Sequence, residues 1–219
     1  MLVKVCGMTS KKDIDGCANN KIDIIGFLLE MPKIKREDML NLELAKELIS
    51  YVPERMNSCL LIHYKDIEKV ISIIEYLNPD ILQIQKQSRL SIDDIKKIRI
   101  VFPNIKIIKT FYLDESTELL VLVNEIKEYI DSDLIEFVLL DSETGGSGKI
   151  HNWEISSRIV KEIFPFPLIL AGGLSPENIQ DAISKVKPFG VDVMSGVNMN
   201  NSKSKDSDKI SLFVANIVN

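Results

Sequence analysis

The sequence predicts an α/β protein, a single-domain (β/α)8 TIM barrel over residues 1–219, on three observations. Short apolar runs alternate with longer amphipathic runs eight times, at a pitch of roughly 25–30 residues, the spacing of a minimal barrel. The apolar runs are nearly continuous in Val, Ile and Leu, as parallel strands covered on both faces are. The glycine clusters come late, after the sixth, seventh and eighth runs, whereas an open doubly wound sheet would want a Gly-rich turn after an early strand.

The elements follow in order. Residues 3–6 read as the first strand and 11–20 as its helix; 22–29 form the second strand. Residues 41–51 form a helix with Leu42, Ala45, Leu48 and Ile49 on one face, the spacing of a buried helical stripe. Strand three covers 58–63 and helix three 65–77. Strand four covers 80–85, and helix four 91–101 with Ser91 as its cap. Strand five covers 105–112 and helix five 115–130; strand six 134–141 and helix six 153–164. Strand seven covers 167–171 and helix seven 175–185, and strand eight 190–195 and helix eight 206–218. No composition shift or low-complexity linker marks a boundary, and the Lys- and Ser-rich stretch at 201–207 reads as an exposed loop.

Bulk properties narrow the function. A hydrophobic content of 45% and a charged content of 27% are ordinary for a globular chain and allow a sizeable core. The net charge of −5 disfavours nucleic acid as a partner, but a small anion remains compatible, because amides at helix starts bind phosphate whatever the global charge. Cys6, Cys17 and Cys59 are odd in number and form no C-x-x-C pair, which argues against a disulfide framework or a zinc site. The two histidines, His63 and His151, share no metal-ligand spacing, so neither a metal site nor a His-based triad is expected. The N-terminus lacks a long apolar stretch, and no run approaches the ~20 residues needed to span a bilayer. No membrane association and a cytoplasmic location are therefore expected. Monomer and homodimer stay open.

In this fold the working residues stand at the C-terminal ends of the strands and in the loops that follow. Four segments qualify. In Lys4-Val5-Cys6-Gly7-Met8-Thr9, Cys6 ends the first strand and should point into the barrel mouth. A thiolate there can serve as base or nucleophile; with an ordinary pKa near ~8.5 it would need a positive or donor-rich setting. The plainer alternative is a small buried core residue. In the run 139–149, Asp141 ends an apolar strand, and a lone carboxylate is costly to bury unless paired or used. The Gly145-Gly146-Ser147-Gly148 stretch after it either frees the backbone to approach an anion or is simply a flexible loop. In the run 170–178, Gly172 and Gly173 follow strand seven, with Ser175 as cap and Pro176 at the first helical position. In the run 190–197, Ser195 and Gly196 end strand eight. Loops after strands seven and eight form the usual phosphate site of the fold. Cys59 and Trp153 read as packing residues.

These segments, in this order, resemble phosphoribosylanthranilate isomerase. That family opens with Lys-Ile-Cys-Gly-x-Thr, matched by Lys4 to Thr9. Its Leu-Leu-Asp strand, Gly-Gly-Thr-Gly-Lys loop and following Trp are matched by Leu139 to Lys149 and Trp153, with Ser147 for Thr. Leu-Ala-Gly-Gly-Leu-x-Pro-Glu-Asn is matched by Leu170 to Asn178. Gly-Val-Asp-Val-Ser-Ser-Gly-Val, then Lys-Asp and Lys-Ile, are matched by Gly190 to Val197, Lys205-Asp206 and Lys209-Ile210, with Met194 as the change. The resemblance implies an Amadori rearrangement of N-(5-phosphoribosyl)anthranilate, with Asp141 as general acid and Cys6 as general base. The phosphate would rest on Gly172, Gly173, Ser195 and Gly196 with Gly146, Ser147 and Gly148 nearby. It calls for no metal or organic cofactor, and a small phosphorylated sugar as the partner. Strands one and six are expected on opposite sides of the ring, with substrate between them.

The middle of the chain departs from the family. Its Ser-x-Arg turn after strand two, which helps hold the anthranilate side, has no clear counterpart; of Lys33, Lys35 and Arg36, Arg36 is the choice. Gln-Leu-His-Gly at strand four becomes Gln83-Ile84-Gln85-Lys86, and Gly-Val-Glu after strand eight becomes Gly196-Val197-Asn198. Two other readings follow: an isomerase-like enzyme for another phosphoribosyl amine, and a non-catalytic phosphometabolite-binding barrel.

Overall fold

A computed structural model describes residues 1–30, 36–114, 116–142 and 150–218. Its strands are β1 (Leu2–Cys6), β2 (Ile24–Leu29), β3 (Met39–Leu40), β4 (Asn57–Ile62), β5 (Ile81–Ile84), β6 (Lys106–Leu113), β7 (Phe137–Ser142), β8 (Leu168–Leu170) and β9 (Gly190–Val193). All pair in parallel in the order β1-β9-β8-β7-β6-β5-β4-β2, and β1 also pairs with β2, which closes the eight-stranded barrel. The two-residue β3 only extends the end of β2, and such a short strand leaves no periodic signal in sequence. The helices α1 (Lys11–Asn19), α2 (Leu42–Ser50), α3 (Ile67–Leu77), α4 (Ile92–Val101), α5 (Leu119–Asp131), α6 (Trp153–Ile163), α7 (Ile179–Val186) and α8 (Ser207–Val218) alternate with the barrel strands.

Strand alternation divides the apolar residues into two cores. Ile24, Leu28, Cys59, Leu61, Ile81, Ile108, Leu139 and Ile169 face the barrel interior. Their neighbours in each strand, such as Val5, Phe27, Leu60, Leu82, Phe111 and Leu140, face the helices. Cys59 and Cys17 are buried packing residues. Among the described residues, no helix is long and apolar enough to cross a membrane.

The expected elements are all found, with shifted ends where side chains compete for the backbone. Ser91 caps α4 in a reciprocal pair with Asp94. Helix five starts at Leu119, because Asp114 Oδ1 accepts from the Ser116 amide (2.8 Å) and Thr117 Oγ1 accepts from the Asp114 amide (2.9 Å), fixing a turn instead. Helix seven starts at Ile179 and Ser175 is not its cap: the Asn178 side chain folds back instead, accepting from the Ser175 amide at 2.9 Å and donating to the Gly173 carbonyl at 2.8 Å. The stretch 201–207 is exposed only in part. Lys205 is turned inward and is 5% exposed.

Candidate active site

The C-terminal mouth of the barrel holds a cavity of about 400 Å³. Every barrel strand, or the residue or two just after it, supplies part of its wall: Cys6, Leu28, Leu61, Gln83, Tyr112, Asp141, Ala171 and Asp192 among them. Of the residues expected at the site, Cys6, Arg36, Asp141, Gly172, Gly173 and Ser195 line this one space. β1 and β7 are three places apart by way of β9 and β8, not diametrically opposed as expected, because eight strands put the first opposite the fifth. The two groups nevertheless share the cavity.

On the thiol side, the register sets Lys4 against Asp192, and Lys4 Nζ donates to Asp192 Oδ2 at 2.8 Å with Lys4 fully buried. Burial opposes the Lys4 charge, but Asp192, Cys6 and Cys59 together outweigh it and hold the ammonium protonated. Cys6 stands two residues further along the same face. Burial pushes its thiol up to about 11, against the pull of Lys4 and Lys205. Gly26 pairs with Cys6 across the sheet, and a Cβ there would lie 2.7 Å from Cys6 Sγ, so glycine makes room for the thiol. Arg36 reaches the wall while Asp38 grips it through Nε (2.9 Å) and Nη2 (2.6 Å).

On the carboxyl side, burial and then the Asp192 charge push Asp141 up to about 6. The Ser142 amide, at 2.7 Å from Oδ1, works the other way. Gly172 is in the left-handed region at φ 86. A Cβ there would meet Asp141 Oδ1 and His151 Nδ1, each at 3.0 Å, so only glycine lets the β8–α7 turn pass this close to the acid. Burial lowers His151 to about 4, which keeps it neutral beside Asp141.

The rim is made by the turns after β8 and β9. Gly173 is also left-handed, at φ 65. Gly196 lies behind the rim and not on the cavity: a Cβ on it would come within 2.1 Å of the Leu174 carbonyl oxygen. Its role is to let the two turns touch. Gly146, Ser147 and Gly148, like Lys33 and Lys35, lie outside the described residues.

Sequence reasoning gave no site role to His63, Lys65, Gln87 and Asp192, and named Gln85 only as a departure from the family; all five line the cavity. His63, at the end of β4, was set aside for lack of metal spacing. Its signal was positional, the first residue after a barrel strand. Burial lowers its pKa, with Arg36 adding to the effect. Tyr112 donates its one hydroxyl proton to Gln85 Oε1 at 2.5 Å and lies 3.1 Å from the Gln87 side-chain amide, so this wall is a side-chain network with no motif to announce it.

A (β/α)8 barrel whose mouth gathers a thiol, a raised carboxyl and a rim of glycine turns is a barrel equipped for acid–base chemistry. Residues 3–216 match the sequence model of the family described as N-(5'phosphoribosyl)anthranilate (PRA) isomerase, and the chain belongs to that family. The N-(5'-phosphoribosyl)anthranilate isomerase of Methanosarcina acetivorans is 37% identical, covering 98% of this chain and 92% of its own. The phosphoribosyl anthranilate isomerase structure from Thermococcus kodakaraensis is similar with a TM-score of 0.82 at 27% identity, covering 100% of this chain and 99% of that one. A family structure in complex with reduced 1-(o-carboxyphenylamino)-1-deoxyribulose 5-phosphate aligns with a TM-score of 0.78 at 25% identity, covering 99% and 97%.

Proposed function

We propose that this chain converts N-(5-phosphoribosyl)anthranilate to 1-(2-carboxyphenylamino)-1-deoxyribulose 5-phosphate, an aldose–ketose isomerisation of tryptophan biosynthesis in the cytoplasm. The observation that carries the reading is the shared cavity: Cys6 and Asp141 face it together, and Asp141 is raised to about 6. Asp141 protonates the furanose ring oxygen as the ring opens. As the bond from C1 to the ring oxygen breaks, the nitrogen lone pair forms C1=N; Cys6 then takes the proton from C2, the electrons of C1=N return to nitrogen as C1=C2 forms, and protonation of C1 with loss of the C2 hydroxyl proton gives the ketone. Amides of the turns at Gly172, Gly173 and Ser195 receive the phosphate, and that remote anchor orients the sugar between acid and base. Arg36 faces the anthranilate carboxylate.

The acid must be protonated and the base ionised, yet Asp141 releases its proton near 6 and Cys6 near 11. The reactive combination is therefore a minority form. Below about 6 its population rises with pH as thiolate appears; between the two values the gain in thiolate and the loss of protonated Asp141 cancel. The expected kcat/KM profile climbs to about pH 6 and then stays level.

The direct test follows the loss of fluorescence of freshly made phosphoribosylanthranilate. Cys6→Ala and Asp141→Asn should each lower turnover by about 10²–10⁴-fold and fail to rescue a tryptophan-requiring strain. Absence of turnover in the unmodified protein, with tight binding of phosphate esters by calorimetry, would defeat the proposal.

A further inference from the structure

Three cations act electrostatically on Cys6, and their counterions distinguish them. Lys4 is paired with Asp192 at 2.8 Å, and partly exposed Arg36 is held by Asp38 at 2.6 Å. Lys205 is buried, but its Nζ donates to two uncharged oxygens, Asn198 Oδ1 at 2.7 Å and the Met194 carbonyl at 3.1 Å. Among the described residues no carboxylate lies within ion-pair distance of it. A buried ammonium solvated only by neutral dipoles is costly unless an anion offsets it.

The fold places this ammonium deliberately. Asn198 and Lys205 face each other in an antiparallel bridge, and the Lys205 amide donates to Asp13 Oδ1 at 2.8 Å. The side chain then reaches the step after Cys6: a Cβ on Gly7 would lie 3.3 Å from Lys205 Nζ, and Gly7 is left-handed at φ 82. The nearby Asp13 carboxylate is already engaged, with Oδ2 accepting from the Thr9 amide (2.9 Å) and hydroxyl (2.8 Å).

We propose that Lys205 is a positioning residue that stabilises the thiolate of Cys6 when it forms, offering the sulfur a buried ammonium whose own cage of Asn198 and Met194 is neutral. The inference rests on Cys6 being the base. The other charged and titratable groups facing this pair are Lys4 and Asp192 from β1 and β9, Arg36 and Asp38 before β3, and Asp13 and Cys17 from α1. Lys209 of α8 holds the Asn198 carbonyl from the far side, at 2.8 Å. Burial is the chief influence on Lys205 and lowers its pKa, and Cys6 comes first among the groups that oppose it.

The substitution Asn198→Asp supplies a carboxylate where the neutral amide stands, with almost no change of shape; Lys205→Met removes the charge. Cys6 ionisation is read from thiolate ultraviolet absorbance, as the difference from a Cys6→Ser protein in each background. The midpoint should rise by about one pH unit in Asn198→Asp, a tenfold loss of thiolate at neutral pH, and further in Lys205→Met. The kcat/KM profile, rising limb and level part alike, should fall by the same factor with its bend near pH 6 in place, whereas a general loss of structure would lower the profile without moving the thiolate midpoint. Should Lys205→Met fail to fold, the near-isosteric Asn198→Asp decides. A midpoint unmoved in folded Asn198→Asp overturns the inference, even if Cys6→Ser abolishes turnover and so upholds the base. A midpoint that moves while Cys6→Ser still turns over substrate upholds the coupling of Lys205 to the thiol and removes the role of the base instead.

Discussion

The two halves of the barrel mouth are built differently. The rim after β8 and β9 is made of backbone: Gly172 and Gly173 are left-handed, and Gly196 packs against the Leu174 carbonyl. The wall after β4, β5 and β6 is made of side chains, with Tyr112 joined to Gln85 and Gln87, and Gln83 donating to Thr110 at 3.1 Å. A backbone site tolerates almost nothing but glycine at its contact points, because any Cβ is excluded. A side-chain site tolerates exchange as long as each buried polar group keeps a partner. The resemblance follows this division: the glycines of the first half, Gly172, Gly173 and Gly196, match the family's motifs, while the second half reads Gln83-Ile84-Gln85-Lys86 where the family has Gln-Leu-His-Gly.

That contrast can be broken by mutation. Gly196→Ala should have the largest effect. Its Cβ would stand 2.1 Å from Leu174 O, so the two turns must part; about 3 kcal/mol of stability should be lost in urea unfolding, together with at least a roughly tenfold loss of phosphate-ester affinity by calorimetry. Retained affinity would show that the rim does not depend on backbone contact. Asp141→Asn, where the halves meet, comes next and has the opposite sign. The folded Asp141 carboxyl sits at about 6, above its ordinary 3.8, so its ionised form weakens the fold. The cost is absent below the ordinary value and complete above about 6. The asparagine protein should be more stable by up to about 3 kcal/mol at pH 8 and no more stable at pH 3.5. Tyr112→Phe should be the mildest, about 1 kcal/mol for the lost donor to Gln85, with a raised KM and unchanged affinity for inorganic phosphate. A large loss of phosphate affinity there would mean the halves are not separable.

Much of the site was legible because its residues sit where the fold puts function. Cys6, Asp141 and Ser195 each stand at or just past a strand end, and each proved to face the cavity. Gly196 was found for a different reason than its position suggested, since it joins the turns and does not line the space. Lys205 was misread as part of an exposed loop, because a Lys- and Ser-rich stretch carries no sign of the hairpin-like return that turns one lysine inward. Asp192 sat inside a recognised segment, but only the register of β1 against β9 shows that Lys4 is its partner. The tie between Arg36 and Asp38 was likewise invisible, since two residues so close in sequence can face together or apart.

By itself, the order of residues determined the eight repeating units and the glycines at the turns, because hydrophobic patterning and backbone freedom are local properties. Only the tertiary structure decided which side of each strand faces the barrel interior, which buried charges are neutralised and that Lys205 turns inward. Coulomb interactions depend on distances across the ring, and those are fixed by register and loop return.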